Sequence, residues 1–129
     1  MLANGERVGD YIIEAELGGG GMATVYRARH AFLETVHALK VLAPEHLPAG
    51  PVRERFGREA ALLARLEHPA LVPLEAVELG ADPPYLVFRW MEGGDLAARL
   101  AAGGPLPLPV VAALGVRVGA ALEALHQAR

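Results

Sequence analysis

Apolar and polar positions alternate over residues 10–18, where Tyr11, Ile13 and Ala15 interleave with Ile12, Glu14 and Glu16. A period of two predicts a strand. Gly18-Gly19-Gly20-Gly21 breaks the pattern, and alternation resumes over 23–31, with Val25 set between Thr24 and Tyr26 and followed by Arg27-Ala28-Arg29. Two strands around four glycines predict an antiparallel hairpin with a bare loop. Residues 35–43, Thr-Val-His-Ala-Leu-Lys-Val-Leu-Ala, predict a third strand, and Pro44, Pro48, Gly50 and Pro51 mark a loop. The period then becomes helical over 52–67: Phe56, Ala60 and Leu63 share one stripe, Glu59 falls on that same stripe, and Arg53, Arg55, Arg58 and Arg65 supply charge around it. His68-Pro69 stops the helix. Two further strands are predicted over 70–79 and 84–91, a short helix over 95–102, and a long helix over 108–128 opened by Pro109. In the last, Val111, Leu114, Val118, Leu122 and Leu125 recur at spacings of three and four.

Composition narrows the picture. The chain has 129 residues, the size of one small domain or one lobe of a larger one, and 53% of them are hydrophobic, which argues against disorder. It has neither cysteine nor serine, so disulfides, thiolate metal sites and serine or cysteine nucleophiles are excluded. The net charge of −3 argues against a nucleic-acid partner held by a basic surface. The five histidines, His30, His37, His46, His68 and His126, share no His-x-x-x-His spacing, so no metal site is expected. No apolar run approaches the roughly 18–20 residues of a membrane span, and the N-terminus lacks a signal-peptide pattern, so no membrane contact and a cytoplasmic location are expected. Of 12 basic residues, 11 are arginine and one is lysine, Lys40. A lone lysine in an arginine-biased chain suggests a role that arginine cannot fill, unless one lysine simply survived.

A glycine-rich loop can admit phosphates to bare backbone amides. No Walker loop is present, and the segment after the glycines alternates like a strand, which excludes the strand-to-helix dinucleotide loop. A hairpin lid of the form Gly-x-Gly-x-x-Gly-x-Val remains: Gly18, Gly20 and Val25 fit it, with Ala23 at the third glycine. Taken alone, the glycines fit a plain turn better than a lid. A lid of this type needs a lysine on the next strand and a carboxylate on the following helix. Lys40 and Glu59 stand at those places. The bland alternative for Glu59 is a solvated carboxylate paired with Arg55.

Leu17-Gly-Gly-Gly-Gly-Met-Ala-Thr-Val-Tyr26, Ala38-Leu39-Lys40, Arg58-Glu59 and His68-Pro69-Ala70-Leu71-Val72 together resemble a bacterial protein serine/threonine kinase, from about Tyr11 to the last residue. The resemblance implies an α+β fold. Residues 1–9 would be an N-terminal tail. Residues 10–92 would be a kinase small lobe with a five-stranded antiparallel sheet and one long helix. Within it, 17–25 would be the glycine-rich loop, 52–67 the helix and 89–91 the hinge. Residues 93–129 would be the first two helices of an incomplete large lobe. It implies ATP and Mg2+ as cofactors, and it assigns roles. Leu17, Gly18, Gly19, Gly20, Gly21 and Val25 would cover the nucleotide, with Val25 and Ala38 roofing the adenine. Lys40, oriented by Glu59, would hold the α- and β-phosphates. Phe88 would back the adenine pocket, and Arg89 and Met91 would belong to the hinge. Arg89 stands where the family often has an acidic residue. Asp95 would contact the ribose or cap the short helix, Leu96 would pack beneath the adenine, and Leu63 and Leu74 would belong to a hydrophobic column.

The family's chemistry also needs a catalytic loop and an Asp-Phe-Gly magnesium site. The 129 residues contain neither His-Arg-Asp nor Asp-Phe-Gly, and the three aspartates are Asp10, Asp82 and Asp95. The expectation is therefore an ATP-binding portion, truncated before the catalytic loop and inactive alone, with the Mg2+ ligands outside it. Its partners would be ATP, a protein substrate in the full kinase, and a second copy through the small lobe. A stand-alone regulatory or interaction module without catalysis is the competing reading, and an unrelated α+β fold the third.

Overall fold

The strands form in a computed structural model that describes residues 1–48 and 50–129. They are β1 (Arg7–Val8), β2 (Tyr11–Gly19), β3 (Ala23–His30), β4 (Val36–Leu42), β5 (Leu74–Glu78) and β6 (Tyr85–Arg89), with helices α1 (Pro51–Ala64), α2 (Leu96–Gly103) and α3 (Leu108–Gln127). The strands make one antiparallel sheet in the order β1-β2-β3-β4-β6-β5. The sheet therefore has six strands rather than the expected five, and the extra one lies in the segment expected to be a tail. Val8 pairs with Tyr11 and Arg7 with Ile12. The Gly5 amide donates to the Ile13 carbonyl at 2.7 Å, and the Ile13 amide to that of Glu6 at 2.9 Å. A two-residue strand is too short to show alternation. Its turn needs Gly9, whose φ is +56° and whose missing Cβ would lie 2.2 Å from the Tyr85 hydroxyl.

Alternation sends side chains to two faces, and each face buries its own cluster. Ile13, Tyr26, Ala28, Leu39, Val41, Tyr85 and Val87 fill one, closed over by Val8. Ala23, Leu42 and Leu86 fill the other, against Phe56 and Ala60 of α1. Pro51 opens α1 at a position where no amide partner is needed. The helix ends at Ala64 rather than 67, because Arg65 closes the last turn through Leu62. β5 likewise begins at Leu74 rather than 70. The His68-Pro69 segment is a turn, in which the Leu71 amide reaches the His68 carbonyl and the Ala70 amide the His68 ring.

The chain divides into two compact units, one of Met1–Arg65 with Pro73–Trp90, the other of Leu66–Val72 with Met91–Arg129. The first holds the sheet and α1. The second holds α2, capped by the Asp95 side chain, and α3, of which only Ala121 is buried. Val111, Leu114, Val118 and Leu122 of α3 are all exposed. At 20 residues and a mean hydropathy of 1.7, α3 is long and apolar enough to cross a membrane, against the expectation that no segment approaches such a span. Counting uninterrupted apolar runs overlooks it, because Gly115, Arg117 and Gly119 divide a segment that is still apolar on average.

Candidate functional site

Strand register assembles the site. Val25 lies directly opposite Lys40, and Lys40 opposite Leu86. One step along, Arg27 lies opposite Ala38, and Ala38 opposite Phe88. Residues two apart share a face, so these six side chains form a grid on three adjacent strands, on the face that α1 covers. Glu59 enters from α1, and its Oε1 accepts a hydrogen bond from Lys40 Nζ at 2.6 Å. Glu59 thus turns to Lys40 and not to Arg55. The two side chains keep 22% and 33% of their exposure, so solvent screens the pair and its stabilising effect is small. What the pair does is hold an ammonium in one place beside an apolar floor of Val25, Ala38, Leu86 and Phe88.

Gly18 and Gly19 continue the first row, opposite Val25 and Thr24. The Gly20 amide donates to the Ala23 carbonyl at 3.0 Å, closing the turn. A side chain at Gly19 would strike the Ala23 carbonyl at 2.9 Å and Thr24 Cα at 3.0 Å, so backbone approaches backbone too closely there for anything but glycine. Gly18 has a φ of +148°, which other residues rarely adopt. At Gly20 and Gly21 a Cβ would meet nothing within 4 Å, so the tip is open. Leu17, at the start of the loop, is half exposed.

Arg89 is exposed at the end of β6, and its amide bonds the Pro73 carbonyl at 3.0 Å. Its guanidinium lies 3.8 Å from Glu75, which also holds His37 Nδ1 at 2.7 Å. His37 and Thr35 are 2.7 Å apart. By alternation from Lys40, His37 lies on the opposite face, edge-on to Tyr11 at 5.4 Å. On that face burial pushes the Tyr11 phenol above its ordinary 10.0, with the Glu75 carboxylate adding to it. Burial, then Glu78, does the same to Tyr85.

Met91 and Asp95 belong to the second unit. Met91 is exposed, and Asp95 Oδ1 accepts from the Ala98 amide at 2.8 Å, the N-cap of α2. Among the described residues no three His, Cys, Asp or Glu come together as a metal site would require. Two members of the grid escape a sequence-only reading, Leu86 and Arg27. Their signal is the two-residue spacing from Phe88 and from Val25. Arg27 lies 5.3 Å from the centre of the Trp90 ring and 3.6 Å from Glu14.

A family model described as a protein kinase domain matches residues 11–129. Serine/threonine-protein kinase PknE of Mycobacterium tuberculosis is 38% identical over 125 residues, which is 96% of this chain and 22% of that protein. PknH of the same species is 35% identical over 122 residues, 95% of this chain and 20% of that protein. The crystal structure of the M. tuberculosis PknI kinase domain superposes with a TM-score of 0.75 at 31% identity, covering 98% of this chain and 52% of that one. The chain thus spans about a fifth of the curated relatives and about half of a solved kinase domain. With a kinase fold, an ordered lysine–glutamate pair and these relatives, the chain belongs to the protein kinase family, on its bacterial serine/threonine branch.

Proposed function

We propose that these residues form the ATP-binding part of a serine/threonine protein kinase. The observation that carries this is the 2.6 Å pair between Lys40 Nζ and Glu59 Oε1, set on the same face as Val25, Ala38 and Phe88. A triphosphate needs a fixed cation, and an adenine ring needs apolar surface on its faces. In this reading Lys40 engages the α- and β-phosphates while Glu59 fixes its direction. Val25 and Ala38 cover the adenine, and Phe88 closes the back of its pocket. Leu17 and Gly18 to Gly21 lie over the phosphates and exclude water. Backbone groups around Arg89 read the adenine edge, so the arginine at this position is tolerated.

The 129 residues supply no base aspartate in a His-Arg-Asp and no magnesium aspartate in an Asp-Phe-Gly. We therefore assign Mg2+ no ligand on this chain and derive no transfer step from it. The same reading makes the residues alone inactive in phosphoryl transfer. The whole kinase would take a protein substrate in the cytoplasm, and the small lobe would be able to pair with a second copy.

The test is a titration of the purified chain with ATP, followed by calorimetry. Wild type is expected to bind weakly and Lys40→Ala at least about tenfold more weakly, since the cation's contact with phosphate is charge-assisted. Equal affinity in both would overturn the reading. Metal-dependent labelling of a protein substrate by the purified chain would overturn the claim of inactivity.

A further inference from the structure

Two hydrogen bonds tie the tip of the glycine hairpin to the segment after β4. His46, in a single 3-10 turn (Pro44–His46), places its Nε2 2.6 Å from the Gly21 carbonyl oxygen. The Ala43 amide donates to the Met22 carbonyl at 3.0 Å. A carbonyl oxygen only accepts, so the His46 Nε2 carries the hydrogen. Both the imidazolium and the Nε2–H tautomer meet that condition. The Met22 side chain packs on the cluster of Ala23, Leu42, Phe56 and Ala60, so the tip is seated as well as tied.

The peptide planes at the tip then have fixed directions. The Gly21–Met22 and Met22–Ala23 bonds are trans, and in a trans peptide the C=O and N–H point opposite ways. A Gly21 carbonyl turned to His46 aims the Met22 amide away from the 3-10 turn. A Met22 carbonyl turned to Ala43 likewise aims the Ala23 amide away from that segment. Successive amides presented on one side are an anion-binding arrangement. Four consecutive glycines have no side chains with which to hold such an arrangement, and their backbone freedom is the largest of any residue. One backbone bond inside the loop, from Gly20 to Ala23, closes the turn, and what holds the Gly21 and Met22 carbonyls comes from outside it.

We propose that His46 is a positioning residue for phosphate recognition. It touches no nucleotide. It holds the Gly21 carbonyl, and so presets the Met22 amide toward the phosphates. This rests on reading the hairpin as a phosphate lid.

The experiment compares His46→Ala with His46→Gln, whose side-chain amide puts an N–H donor the same number of bonds from the backbone as Nε2. Dissociation constants are measured for ATP and for adenosine, which lacks phosphates. His46→Ala is expected to weaken ATP about fivefold, the size of one exposed neutral hydrogen bond, and to leave adenosine unchanged. His46→Gln is expected to stay within about twofold of wild type on the same scale. Equal weakening of ATP and adenosine in His46→Ala, or no rescue by glutamine, would overturn the proposal. Amide hydrogen exchange at Gly20 and Ala43, whose hydrogen bonds close the turn and tie it to the segment after β4, tests the tether by itself when measured without nucleotide. Exchange should accelerate in His46→Ala and return in His46→Gln, and unchanged exchange in the alanine variant sinks the idea. If the tether is present but Lys40→Ala leaves ATP affinity intact, the lid reading is what has failed.

Discussion

The two units are built from similar proportions of apolar residues and use them in opposite ways. In the sheet unit, Ile13, Tyr26, Leu39, Phe56, Leu86 and Val87 are all at most 2% exposed. In the helical unit, a 20-residue helix of mean hydropathy 1.7 buries only Ala121. The sheet unit closes because alternation separates two apolar faces, and each finds cover within the unit, one from α1 and the other from its own curling strands. A lone helix cannot cover its own stripe. Apolarity therefore stabilises the first unit, while on α3 it stays at the surface of the described residues. Local composition does not tell these outcomes apart; what the stripe packs against does.

Substitutions sharpen the contrast. The largest effect is expected at Phe56, which is 1% exposed between α1 and the sheet. Phe56→Ala should cost about 3–5 kcal/mol in chemical denaturation, as core phenylalanines do. It should also loosen the Lys40–Glu59 pair, since Phe56 and Glu59 share α1. A loss below about 1 kcal/mol would mean that the helix is not docked as described. Next is the α2 cap: Asp95→Ala removes the bond to the Ala98 amide and should cost about 1 kcal/mol of local stability, read as faster amide exchange at Ala98.

A smaller effect belongs to the sheet face opposite Lys40. Tyr11 and Tyr85 both titrate above the ordinary 10.0 when folded. A group with a raised folded value contributes stability that is whole below its unfolded value and is lost as pH climbs through the folded one. Stability should therefore fall above pH 10, and Tyr11→Phe should flatten that fall, with denaturation midpoints at pH 9 and 11 as the measurement. An unchanged slope would remove Tyr11 from the account. The smallest effect is expected in α3. Leu114, 38% exposed, should lose under about 0.5 kcal/mol on change to alanine, while self-association measured by light scattering should fall. A core-sized loss at Leu114 would erase the contrast between the units.

Much of the site was legible because its chemistry forces unusual residues into regular patterns. Lys40 stood out as the only lysine, and Glu59 as a carboxylate on an otherwise apolar helical stripe, so their pairing was readable before any geometry. Four glycines between two alternating segments announced the hairpin. Less legible were features set by distance in sequence. Arg7 and Val8 form a strand only because β2 lies beside them. Leu86 and Arg27 join the site through cross-strand register. The segment at 70 is a turn and not a strand because the His68 ring accepts a backbone amide, a contact no alternation reports. His46 reaches Gly21 across 25 residues from a loop that looks like punctuation.

By itself, then, the sequence determined the kinds and order of the elements from β2 onward, the bare hairpin and the two charged residues that meet behind it, because periodicity and rare residues are local signals. Tertiary structure alone decided that β4 pairs with β6, that six strands share one sheet, which apolar faces are covered, and that a histidine holds the glycine tip. Those outcomes depend on pairing and burial between segments far apart in the chain. Local propensity carries no information about which distant partner supplies the missing hydrogen bond or the missing apolar cover.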